Sequence, residues 1–180
     1  MKRISLLFTL LAFTFAGSPA FAQFSQSQMV KEWQRAKAYT KEYLEAMPED
    51  GYSFKPTPEI RSFAQQMLHL ADANYLFSST SSGKPSPLGH TIPAHNILEK
   101  TGSQTKEEVS KAVMDSYDFV INSLQGMTPD QLQETIKFGN ADITRSGLFG
   151  KGFEHQTHHR GQMTIYLRLK GVTPPGEKLF

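Results

Sequence analysis

Residues 27–47 read SQMVKEWQRAKAYTKEYLEAM, with apolar side chains at Met29, Trp33, Ala36, Tyr39, Tyr43, Leu44 and Met47. Steps of three and four place them on one face of an α-helix. Pro48-Glu49-Asp50-Gly51 stops it. Thr57-Pro58 is a cap followed by proline at the first helical position, which predicts a second helix to about Phe77 carrying Ile60, Phe63, Ala64, Met67, Leu70, Ala71 and Tyr75. Thr105 with Glu108 forms a capping box before Val109, Val113, Tyr117, Val120, Ile121 and Leu124. Thr128-Pro129 opens a short helix through Ile136, and Asp142 or Thr144 caps a last helix that ends near Lys170, before Gly171 and Pro174-Pro175. Residues 78–102 are rich in Ser, Gly and Pro, lack a helical period and read as a long loop. No repeat and no strand alternation stands out. Four long helices predict an all-α four-helix bundle with a short extra helix, whose uneven connections do not imply simple up-down-up-down order. The expected core is Trp33, Tyr43, Phe63, Met67, Leu70, Val113, Val120, Leu124, Met163 and Tyr166.

At 180 residues the chain is long enough for one domain with a sizeable core. It has no Cys, which excludes disulfide frameworks, thiolate zinc sites, iron–sulfur clusters and Cys nucleophiles. Any metal must therefore be held by His, carboxylates or carbonyl oxygens. Lys2 and Arg3, the uncharged apolar run 4–16 and Ala20-Phe21-Ala22 have the order of a secretory signal peptide. The expectation is a leader at 1–22 and a mature domain at 23–180 beginning with Gln23, periplasmic or secreted. The apolar run is shorter than the roughly 20 residues of a spanning helix, so no stable membrane anchor is expected after cleavage. Loss of Lys2 and Arg3 leaves 17 basic and 17 acidic residues. A chain without net charge offers no footing for nucleic acid. The partners expected are a small-molecule substrate and, at most, a second copy of the chain as a homodimer.

Three of the six histidines fall in His155-Gln-Thr-His158-His159. His155 and His159 are one helical turn apart and point the same way, with Leu148, Met163 and Tyr166, toward the bundle interior. That is half the geometry of the H-E-x-x-H metalloproteases, but Gln156 replaces the Glu that serves them as general base. His158 lies about 100° round the helix from His159 and faces a neighbouring helix or a substrate instead. His69, at the edge of the apolar face of the second helix, is the best third ligand. Three imidazoles with open positions for water make a catalytic rather than a closed structural metal site. The donor set suits a divalent ion, Zn²⁺ or Ni²⁺ first, Fe²⁺ or Mn²⁺ as alternatives. On the residues alone, His69 as a hydrogen-bonded core histidine and the pair as a polar helix face stay open. His90 and His95 read as solvated loop residues. Candidates for general acid or base are Asp72, His158, Asp118 and Glu154. Asp72, one turn from His69, could equally fix the tautomer of that ring. Arg160 and Arg168 read as solvated, although Arg160 could meet a carboxylate at a pocket mouth.

The run HQTHHRGQ at 155–162, followed by MTIYLRLKGVTPP, resembles the closing segment of the DinB-like (DinB/YfiT) metalloenzyme family. The stretch RSFAQQMLHLADANYLF at 61–77 is similar to the family's second helix, and the likeness extends over residues 25–176. The resemblance implies a four-helix bundle that binds a divalent metal, with its ligands mapping to His69, His155 and His159. Some relatives are thiol-dependent transferases or isomerases. The export signal sets this chain apart from them, because their thiol cofactors are cytoplasmic. The leading expectation is a metal-dependent hydrolase or transferase acting on a small molecule in the cell envelope. The alternatives are a non-catalytic metal-binding or stress-related protein, a thiol-dependent S-transferase, and a helical interaction module whose histidines are structural.

Overall fold

The computed structural model describes residues 25–101 and 104–180; the expected leader lies outside them. Four long helices, α1 (Gln26–Ala46), α2 (Phe63–Ser82), α4 (Lys106–Gln125) and α6 (Arg145–Leu169), form the bundle. Two short ones, α3 (Ile97–Thr101) and α5 (Pro129–Gln133), and a hairpin of β1 (Thr135–Phe138) and β2 (Ala141–Thr144), complete the order. Both α2 and α1 pack against α4 and α6, so the helices run α1-α4-α2-α6 round the bundle, and sequence neighbours α1 and α2 sit on a diagonal. Fourteen of the 20 residues of α2 are buried, the burial of a helix that is covered on most sides. All ten expected core residues are buried, none more than 6% exposed.

The boundaries differ from the sequence reading at three places, each for a local reason. The helix α2 starts at Phe63, not Pro58. Ser62 accepts from Gln65 N–H and the Gln65 side chain answers the Ser62 backbone, while Phe63 N–H and Ala64 N–H donate to Phe54 and Tyr52 carbonyls and tie the incoming link to the helix. At its other end α2 continues through the serine-rich stretch to Ser82 and stops at Gly83, φ 76°; within the helix the hydroxyls of Ser79 and Thr80 find the Leu76 carbonyl and that of Ser82 the Ser78 carbonyl. The expected loop 78–102 is thereby shortened, and it contains α3.

The third difference is the hairpin, which falls where a helix was expected to run to Ile136. Thr135 pairs with Thr144, Ile136 with Ile143, Lys137 with Asp142 and Phe138 with Ala141. The two-residue turn Gly139-Asn140 closes it, with Gly139 at φ 59°, where a side chain is strained. Thr144 then caps α6 by accepting from Gly147 N–H.

Candidate metal centre

The bundle order sets α2 beside α6, and that adjacency brings His69 to His155 and His159. One nitrogen of each ring lies within 4.8 Å of one nitrogen of the other two. Ring centroids are 5.2 Å apart for His69 and His155, 4.7 Å for His69 and His159, and 4.3 Å for His155 and His159. The Nε2 atoms of His155 and His159 face each other at 3.1 Å.

The outer nitrogens are held from behind. His69 Nδ1 is 3.1 Å from Glu99 Oε2. Arg61 clamps that carboxylate, with Nε 2.7 Å from Oε1 and Nη2 3.2 Å from Oε2. A carboxylate at Nδ1 keeps the proton there and leaves Nε2 with its lone pair. His159 Nδ1 lies 2.7 Å from the amide nitrogen of Gln66, which also bonds Gln162. A carboxamide turned about its own axis presents its oxygen to the same partner, so Gln66 can hold His159 in either tautomer. His155 Nδ1 is buried with no hydrogen-bond partner among the described residues.

Burial keeps the rings neutral. It lowers the pKa of His155 to about 4 and of His159 to about 3, helped by the neighbouring histidines. His69 is lowered too, by burial first and then by Arg61, against the pull of Glu99. Neutral imidazoles crowded at this distance, two with oriented outer nitrogens, are a donor set that fits a divalent cation. His158 is exposed, with Nε2 2.9 Å from the Gln162 amide nitrogen and its ring centroid 4.9 Å from that of His159. It lines a cavity of about 800 Å³ together with Arg61, Gln66, Glu99, His159 and Tyr166. Of the three clustered rings His159 lines this cavity, so the cluster is reached from it past the Arg61–Glu99 pair.

Asp72 stands elsewhere. It is fully buried, and its Oδ1 accepts from Leu98 N–H and meets His90 Nε2 at 2.7 Å, while Oδ2 accepts from Glu99 N–H. Its carboxylate thus caps α3 and pins the preceding loop, and Glu99 is the acid at His69. His90 is correspondingly not solvated: it is buried, bonded to Asp72 and Ser86 and stacked on Tyr75 at 5.3 Å. His95 bonds the Ile92 carbonyl within its own loop. Asp118 pairs with Lys37 and Glu154 with Lys151 on exposed surfaces. Arg160 is buried rather than solvated, donating to Gln156 Oε1 with its guanidinium 4.5 Å from the Tyr39 ring centre. Arg61, Glu99 and Gln66 were missed as site residues. Gln66 lies three residues before His69, a position that helical spacing could have flagged, whereas Arg61 precedes the helix and is placed by the link that enters it. For Glu99 there was no sequence signal, because its place depends on Asp72 docking α3.

A sequence model of the DinB family matches residues 19–179. Among curated relatives, the uncharacterized protein YjoA of Bacillus subtilis (strain 168) is 24% identical over 150 residues, 82% of this chain and 92% of its own length. A DinB-like protein from Bacillus cereus ATCC 10987 superimposes with a TM-score of 0.71 at 20% identity, covering 84% of this chain and 97% of that one. YfiT from Bacillus subtilis, described as a probable metal-dependent hydrolase with an unusual four-helix bundle topology, matches with a TM-score of 0.62 at 19% identity over 83% of this chain and 91% of its own.

Proposed function

This chain belongs to the DinB family, and from that premise we propose that it is an exported metal-dependent enzyme, a hydrolase or transferase acting on a small molecule. The observation that carries the reading is the meeting of His69, His155 and His159, three neutral rings from two helices with one nitrogen each turned inward. These three would hold one divalent ion, of which Zn²⁺ and Ni²⁺ suit the donors best. Such an ion supplies Lewis-acid chemistry, activating a water and polarising a substrate oxygen. Glu99 and Gln66 orient two of the ligating rings, and Arg61 keeps Glu99 in place. His158, exposed at the cavity wall beside His159, is the group placed to exchange a proton with a bound substrate. The description of YfiT as a probable metal-dependent hydrolase supports the same class of chemistry.

Export rests on the N-terminal pattern of Lys2, Arg3, the apolar run 4–16 and Ala20-Phe21-Ala22. No helix of the described residues is long and apolar enough to cross a membrane. The test is elemental analysis of protein purified from the cell envelope, with intact mass on the same sample. About one divalent ion per chain and a mass that begins at Gln23 are expected. A metal-free protein that takes up no Zn²⁺ or Ni²⁺ would overturn the metal reading, and a retained leader would overturn export. Hydrolysis or group transfer by the loaded protein, lost in His158→Ala with metal content unchanged, separates an enzyme from a passive metal binder.

A further inference from the structure

The register of the hairpin puts Ile136, Phe138, Ala141 and Ile143 on one face and Thr135, Lys137, Asp142 and Thr144 on the other. The apolar face is not absorbed into the bundle core. Ile136, Phe138 and Ile143 are only half-buried and Ala141 is exposed. Between this face, Phe77 of α2 and the first turns of α6 lies a cavity of about 510 Å³. Phe77 is 5.4 Å from Phe138 and 5.8 Å from His155, ring centre to ring centre, so aromatic surface runs from the hairpin to the metal-site histidine. Gly152 makes room for it: a Cβ there would stand 3.1 Å from Phe77 Cβ. The charged residues at the wall, Lys151 and Glu154, are bonded to each other at 2.8 Å and bring no net charge. His158 lines this cavity as well as the one that Arg61, Glu99 and His159 share.

Resting on the metal-site reading above, we infer that the substrate carries an uncharged aryl or short alkyl group and that the hairpin cavity takes it. The reacting group then lies at the three histidines, with the polar remainder toward Arg61 and Gln162. The size fits: small-molecule pockets run to roughly 300–1,000 Å³ and are mostly apolar with few polar groups. A protein partner fits poorly. A stable interface takes about 20–30 residues a side, and nine residues line this cavity.

The full chain loaded with Co²⁺ tests this through a series of hydroxamates, acetyl, butyryl, hexanoyl and phenylacetyl, read by the visible spectrum of the ion and by calorimetry. Affinity is expected to rise by about threefold to fourfold for each methylene that enters the cavity, and then to level off when it is full. Ala141→Asp, at an exposed position, and Phe138→Ala should each flatten the series while leaving metal content and acetohydroxamate affinity unchanged. Equal affinity across the series, with acetohydroxamate still bound, overturns the apolar cavity and leaves the metal reading in place. Failure to take up Co²⁺, Zn²⁺ and Ni²⁺ alike overturns both. A chain that sediments as a dimer until Ala141→Asp makes it monomeric, with the series unaffected, assigns the face to a second copy and likewise overturns the inference.

Discussion

His90 leaves 6% of its surface exposed and His159 8%, and both rings are held by residues of α2. Around His90 the polar positions are filled: Ser86 at Nδ1, Asp72 at Nε2 and the Tyr75 ring stacked alongside. Around His159 one nitrogen meets Gln66 and the other meets a second imidazole, whose far nitrogen has no partner among the described residues. A buried polar atom left unpaired costs about 1–3 kcal/mol, so a fold that keeps such a cluster points to a ligand. His90, with Ser86 on one nitrogen and Asp72 on the other, is a closed structural residue, whereas His69 meets Glu99 through Nδ1 and keeps Nε2 for the cluster. Histidines set against one another cannot all be charged and stay neutral, which is the state that ligates. Partners, rather than burial, separate the two groups.

The comparison breaks outright if the paired histidines are dispensable. In His155→Ala/His159→Ala, metal measured by mass spectrometry is expected to fall from about one per chain to near zero, while His90→Ala keeps its ion. Undiminished metal in a folded double variant would place the site elsewhere. Next in size is the structural pair itself. Asp72→Ala leaves His90 and two backbone N–H groups buried without their acceptor, and should cost about 3–5 kcal/mol in urea unfolding. That matches the loss expected for Phe63→Ala in the fully buried core. A cost below about 1 kcal/mol, the range of an exposed ion pair, would show that the Asp72–His90 pair does not hold the loop. Smaller again is Glu99→Gln, which keeps the shape but not the charge at His69 Nδ1. Metal affinity by calorimetric titration is expected to drop by about 10–100-fold with little change in stability. Unchanged affinity would remove Glu99 from any role in orienting His69.

What was legible in the sequence follows from which forces act locally. The periodic apolar residues specified the four long helices and the core, because a 3.6-residue repeat is written in the chain itself. Thr105 and Thr128 were readable as caps, each accepting from the N–H three residues on. The spacing of His155 and His159 was readable for the same reason. The hairpin was not recognised, although Ile136-Lys137-Phe138 and Ala141-Asp142-Ile143 alternate around Gly139-Asn140, a turn that signals one. Thr128-Pro129 masked it by predicting a helix through the same residues. The last turns of α2 to Ser82 are covered by tertiary packing that buries Ser78 and Ser81, and serine clusters read equally well as loop. Asp72 reads from its spacing as an acid–base group or a ring partner for His69, yet its carboxylate holds His90 and the start of α3, because spacing along one helix says nothing about a loop that folds back over it.

The last expected effect is a pH dependence set by the paired histidines. Burial first, then the neighbouring rings, hold His155 down to about 4 and His159 to about 3, from 6.5. The unfolded chain titrates its histidines near 6.5. As pH falls from about 6.5 toward 4, the unfolded state therefore takes up protons that the folded state refuses. Stability of the metal-free protein rises with pH across that window and is lost as pH drops through it. His155→Ala/His159→Ala removes two of the rings and with them most of the slope. Between about pH 7 and pH 5, metal-free wild type should lose more of its melting temperature than the double variant does. Parallel losses would mean that the rings protonate in the folded chain as freely as in water, and hence do not face one another as His155 and His159 do at 3.1 Å. The same shifts favour the loaded protein. Protons compete with the ion only below the ordinary histidine range, so metal should be retained at about pH 5.5, under the 6.5 at which free histidine would release it.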